Sequence, residues 1–121
     1  MSEIAVERVS ITTVGGAGVA AGSGTTIPIN GFLLDVYLDY HASCPATADV
    51  TITDPVFGTV LANSNSATDV WLAPRKATCD PAAAATGLYD LIPLNGALTI
   101  SVAQADALTA CVVAHVRWMT P

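Results

Sequence analysis

A chain of 121 residues fits one domain with a single core and is too short for two independent ones. Its net charge of −6 sets ten acids against Arg8, Arg75, Lys76 and Arg117 with no basic stripe, which excludes wrapping nucleic acid, because that requires clustered cations to neutralise phosphates. Only 12% of the residues are charged and 52% are hydrophobic, with alanine prominent and few bulky fillers, a composition that suits a subunit partly covered by others.

In chain order, Met1-Ser2-Glu3 carries no basic region leading into an apolar one, so no signal peptide is expected and assembly in the cytoplasm follows. Glu3 to Val14 alternates in two phases, Ile4 and Val6 and then Val9 and Ile11, which predicts a strand-like arm kinked or bulged at Glu7-Arg8. Gly15 to Gly24 offers almost no side chain to pack and reads as a flexible joint or a long loop. The charge-free interval Val9 to Leu34 is broken by glycines and Pro28 and lacks a continuous apolar run, so no membrane span is expected. These features divide the chain into an arm and linker over 1–24 and a β-sandwich domain over 25–121.

Phe32 to Tyr40 is the strongest predicted strand, with Phe32, Leu34, Val36, Leu38 and Tyr40 inward and Asp35 and Asp39 outward. Ala48 to Thr53 reads as its partner, with Val50 and Ile52 inward. Short strands follow at Gly58 to Ala62 and Asp69 to Leu72. Asp80-Pro81 ahead of four alanines and Gly87 resembles one or two helical turns. Leu98, Ile100 and Val102 mark a further strand, Ala103 to Thr109 a turn or short helical connection, and Cys111 to Met119 the closing strand. About eight strands make an all-β antiparallel sandwich or jelly roll.

One phrase occurs twice: Ile27-Pro28-Ile29-Asn30-Gly31 and, 65 positions later, Ile92-Pro93-Leu94-Asn95-Gly96. Each places an extended X-Pro step and an Asn-Gly turn signal before a strand. Aligned on the phrase, the inward faces that follow are out of phase by one residue. Either one copy carries a bulge, or the match reports shared turn chemistry and not duplication.

Chemistry-bearing patterns are weak. Gly16-x-Gly18-x-x-Ala21 follows a strand, but Gly22 to Gly24 interrupt the helix that a dinucleotide site needs. His41, Cys44, Cys79 and His115 lack the two close pairs of a structural zinc site. Asn63, Asn65 and Asp69 lack the glycine and distal glutamate of an EF-hand. No G-x-S-x-G is present, and Asp35 and Asp39 stand more than about 10 Å apart along a strand. No enzyme activity, cofactor or metal is expected. Of the three cysteines, Cys111 reads as a buried free thiol; Cys44 and Cys79 lie in loops beside prolines and could meet, although a reducing compartment disfavours the bridge.

Trp71-Leu72-Ala73-Pro74-Arg75 and Tyr89 to Val102, with Pro93-x-x-Gly96-x-Leu98-x-Ile100-x-Val102, resemble small virion proteins of tailed bacteriophages. The likeness covers about residues 25 to 118, and its motifs are loose; the glycine segment and the three cysteines depart from the pattern. It implies a head decoration (cement) protein: a β-sandwich on the virion surface, often a homotrimer, partnered by the major capsid protein and copies of itself, with no nucleic acid and no membrane. Candidate subunit or capsid contacts are Ile4, Val6, Val9, Ile11, Trp71, Arg75 and Trp118. A tail or adaptor protein would look similar, and a carbohydrate- or host-binding module would present exposed aromatics, for which Trp71, Tyr89 and Tyr40 are the candidates.

Overall fold

The computed structural model describes residues 3–121. They form nine strands: β1 (Ile4–Ile11), β2 (Ala20–Tyr40), β3 (Asp49–Asp54), β4 (Gly58–Asn63), β5 (Val70–Leu72), β6 (Lys76–Cys79), β7 (Ala85–Asp90), β8 (Ile92–Ala105) and β9 (Val112–Met119). All pairings are antiparallel, and the chain is an all-β sandwich. No helix among the described residues is long and apolar enough to cross a membrane.

The organising element is β2, 21 residues long. Its first part, from Ala20 to Leu33, pairs with β8, and its last part, from Phe32 to Tyr40, pairs with β9 and, on the opposite edge, with β5. One layer is therefore β1-β9-β2-β5 and the other β2-β8-β3-β4, with β2 shared. Consecutive strands β2 and β3 do not pair, contrary to the sequence expectation: the chain crosses between layers at 41–48, and β3 pairs with β8 and β4. Core side chains come from both layers, including Ile11, Leu33, Val36, Leu38, Val50, Ile52, Leu98, Ile100, Val102 and Val116.

The arm and linker expected over 1–24 take a different form. β1 pairs with β9 along its whole length in unbroken register, without the bulge expected at Glu7-Arg8. Straight alternation turns Val9 and Ile11 into the core and leaves Ile4 and Val6 exposed on the outer face. The glycine segment turns back at 15–18 and enters β2 at Ala20, so residue 24 lies inside a strand. Gly22 and Gly24 sit where β1 crosses β2: a Cβ on Gly22 would run into the Thr12 carbonyl, and one on Gly24 would press on Ile11 and Val9 at about 3 Å. These glycines admit a close approach of strands.

The two copies of the repeated phrase pair with each other. Asn30 stands across from Asn95, with Ile29 opposite Gly96 and Gly31 opposite Leu94. The Asn-Gly dipeptides thus lie within strands, not at turns as expected; Gly31 is required because the Met119 carbonyl occupies the space of a Cβ there. The relation extends outward. Moving the β2 member up by 65 positions and the β9 member down by 65 converts the pair Val36·Val116 into Ser101·Thr51, which is present in the β3–β8 ladder. The order β1-β9-β2-β8-β3-β4 carries the same relation at its centre, exchanging β9 with β3 and β2 with β8, while β1 and β4 match in place alone.

The phase mismatch noted in sequence is a bulge. Leu33 pairs with Trp118 and Asp35 with Arg117, leaving Leu34 as the extra residue. Inward positions change from Ile29, Gly31 and Leu33 before it to Val36, Leu38 and Tyr40 after it. Phe32 and Leu34, expected inward, are accordingly exposed and half-buried.

Candidate functional site

The described residues contain no pocket and no cluster of three or more His, Cys, Asp or Glu side chains. His41, Cys44, Cys79 and His115 are not brought together: His41 Nδ1 accepts from the Ser43 amide, Cys44 is buried, Cys79 is exposed on β6 and His115 lies on β9 against Tyr37. Two unpartnered surfaces remain as the candidates.

The first is the outer face of the β1-β9-β2-β5 layer. Register sets Trp71 opposite Tyr37, Tyr37 opposite His115, and His115 opposite Arg8, one row across four strands. The Tyr37 ring lies 4.9 Å from that of Trp71 at 38° and 5.7 Å from that of His115 at 58°. Arg117, one row away, donates from Nε and Nη2 to the two Asp35 carboxylate oxygens and places its guanidinium 4.8 Å from the Trp71 ring centre. The hydrogen bonds that Arg117 donates to Asp35 raise its pKa above the ordinary value, partial desolvation opposes the rise, and the Asp35 charge adds to it. Desolvation, then the charges of Asp69 and Asp39, push the Tyr37 phenol up. Ile4, Val6, Phe32 and Trp71 are exposed around this row. Sequence reasoning singled out Trp71 but missed its neighbours Tyr37, His115 and Arg117, because the row joins strands distant in the chain.

The second surface is the β6–β7 hairpin, which forms a two-stranded sheet of its own. Its strands pair Lys76 with Asp90, Ala77 with Tyr89 and Cys79 with Ala85, and the Thr78 and Thr86 hydroxyls meet at 2.6 Å. The helix expected after Asp80 is absent. Asp80 Oδ1 instead accepts the amides of Ala82 and Ala84, and Ala83 takes φ +64°, closing a turn. Four alanines cannot repay the cost of nucleating a helix when both flanks are committed to a ribbon. Every residue of β7 is exposed, Leu88 and Tyr89 included.

The other expected contact residues are distributed differently. Val9, Ile11 and Trp118 belong to the subunit's own core, because β1 and β9 run straight through the layer and turn them inward. Trp71 and Arg75 are at the surface, and Arg75 donates to the carbonyl of Leu34, the bulged residue. Tyr40 is buried with its hydroxyl accepting from Asn63, away from the aromatic row.

No family model and no curated protein matches the chain. Among solved structures, it is similar to an exo-β-1,3-galactanase from Phanerochaete chrysosporium with galactose, at 13% identity and a TM-score of 0.35. That match covers 98% of this chain, which spans 29% of the length of the galactanase chain.

Proposed function

We propose that this chain is a virion structural protein that decorates and stabilises the outer surface of a tailed-phage capsid through oligomeric β-sandwich subunits. The observation that carries the reading is the β6–β7 hairpin, a ribbon hydrogen-bonded to no other strand among the described residues, with Leu88 and Tyr89 in solvent. An isolated hairpin of this kind is marginal in water and gains most when a neighbour covers it. The outer face gives further support: Trp, Tyr and Arg are the side chains that dominate protein contacts, and Trp71, Tyr37 and Arg117 converge there. The partners on this reading are the major capsid protein and two further copies in a homotrimer, on the virion surface after assembly in the host cytoplasm.

The test is electron microscopy of purified particles together with sizing of the isolated protein. Ordered copies on mature heads and a trimer in solution are the expected results; absence of the chain from mature heads overturns the decoration role. Replacing residues 77–89 with a short glycine linker is expected to leave a folded sandwich that no longer attaches.

A second reading, a carbohydrate- or host-surface-binding module, is favoured by one observation, the exposed Trp71 stacked beside Tyr37 and His115. Binding on a glycan array that disappears in Trp71→Ala, with the protein absent from heads, would select it.

A further inference from the structure

Two of the three cysteines meet inside the fold, and they are not the two that lie in proline-flanked loops. Cys44 belongs to the crossing at 41–48 between β2 and β3, and Cys111 immediately precedes β9, at the end of the crossing from β8. Their sulfur atoms are 3.6 Å apart although the residues are 67 positions apart in the chain. The backbone holds them there: the His41 amide donates to the Cys111 carbonyl at 2.8 Å, and the Cys44 amide donates to the His41 carbonyl at 2.9 Å. Cys111 is fully buried and Cys44 nearly so, at 9% exposure. Cys79 is exposed on the hairpin and takes no part.

We propose that Cys44 and Cys111 are an oxidisable pair, dithiol in a reducing compartment and disulfide once the chain meets a small-molecule disulfide such as oxidised glutathione. A covalent S–S bond is about 2.05 Å long, so closure requires the sulfurs to approach by roughly 1.5 Å, within the reach of side-chain rotation and a small loop adjustment. In the first step the Cys44 thiol, the more accessible of the two, loses its proton to water and attacks one glutathione sulfur. A Cys44–glutathione mixed disulfide forms, and one glutathione thiolate leaves and is protonated. In the second step Cys111, deprotonated in turn, attacks the Cys44 sulfur, forming the intramolecular bond and releasing the second glutathione. Two protein thiols are oxidised and one glutathione disulfide is reduced to two thiols.

The bond would tie the β2–β3 crossing to the β8–β9 crossing, the two connections exchanged by the fold's internal two-fold relation. Burial explains why the reduced form persists: it pushes the Cys44 thiol up to about 12, helped by its hydrogen bond and proximity to Cys111, so little attacking thiolate exists at neutral pH. Oxidation is therefore slow and follows opening of the crossing. The inference rests on the fold alone and does not depend on the virion reading.

The experiment incubates the full chain with reduced or oxidised glutathione and reads intact mass, free thiols in denaturant, peptide linkage and the urea midpoint. The expected product is a monomeric chain linked Cys44 to Cys111, about 2 Da lighter where Cys79 stays free and heavier by the mass of one glutathionyl group where Cys79 carries glutathione. Closing a loop of this length is expected to raise the folding equilibrium by roughly a thousandfold, reversed by dithiothreitol. Cys79→Ser should behave the same way, and Cys44→Ala in that background should lose the shift. Three free thiols after prolonged oxidation, a Cys44–Cys79 linkage, or glutathione retained on Cys44 without ring closure would each overturn the proposal.

Discussion

Arg117 grips both carboxylate oxygens of Asp35, at 2.7 Å from Nε and 2.5 Å from Nη2, while its guanidinium covers the Trp71 ring. The pair joins β9 to β2 one step past the Leu34 bulge, and the cation reaches from there to β5. Its weight is in positioning more than in stability, since a solvent-facing ion pair adds little to folding.

Arg117→Ala should therefore leave the sandwich folded and uncover Trp71. Trp118 points inward and is shielded, so a rise in acrylamide quenching of tryptophan fluorescence will report Trp71. Unchanged quenching would mean that Arg117 does not cover the ring in solution.

Gly31→Ala should cost about 1–3 kcal/mol, because the new Cβ meets the backbone carbonyl of Met119 and not the end of a flexible side chain. Gly22→Ala should behave similarly against the Thr12 carbonyl. Chemical denaturation measures both; neutral substitutions would mean that the strands separate more easily than the packing implies.

Asp54 is a buried carboxylate that organises the β3–β4 turn and ties it to β8. Oδ2 accepts the amides of Val56 and Phe57, and Oδ1 accepts that of Asn95. Asp54→Ala leaves these donors without their acceptor and should destabilise the protein by about 1–3 kcal/mol. Asp54→Asn, which keeps one acceptor oxygen, should lose less. Urea midpoints of the two variants rank them.

Stability should fall in alkali. The Cys44 thiol is held neutral by burial, its pKa raised from 9.0 to about 12, and burial also raises the Tyr40 phenol against the lowering effect of its Asn63 hydrogen bond. A raised acid stabilises the fold fully below its unfolded value and ceases to do so as the pH climbs through its folded value. The urea midpoint, measured in dithiothreitol, should therefore decline between about pH 9 and pH 12. Cys44→Ala should flatten the decline in part, leaving the share of Tyr40; an unaltered slope would remove Cys44 as a cause.

Alternation by itself determined the fold class, the positions of β4, β5 and β9, and the inward faces at Val50, Ile52, Leu98, Ile100 and Val102, because strand period and turn residues are local properties; of β8 only 98–102 was legible, and the strand runs on at both ends, through Ile92–Ala105. Apart from the helix expected after Asp80, the main failures were of one kind. Val9, Ile11 and Trp118 looked like contacts and Gly22 and Gly24 like a linker, since nothing local distinguishes an outward apolar side chain from an inward one, or a glycine that bends from one that lets another strand pass. The aromatic row and the Cys44–Cys111 contact were hidden for the same reason: each joins residues far apart in the chain. The repeated Ile-Pro-x-Asn-Gly phrase was visible at once, but only the tertiary structure made it a pairing of Asn30 with Asn95. Strand partners are chosen by the burial of the whole sheet, and a single bulged residue, Leu34, is enough to turn over every side chain that follows it.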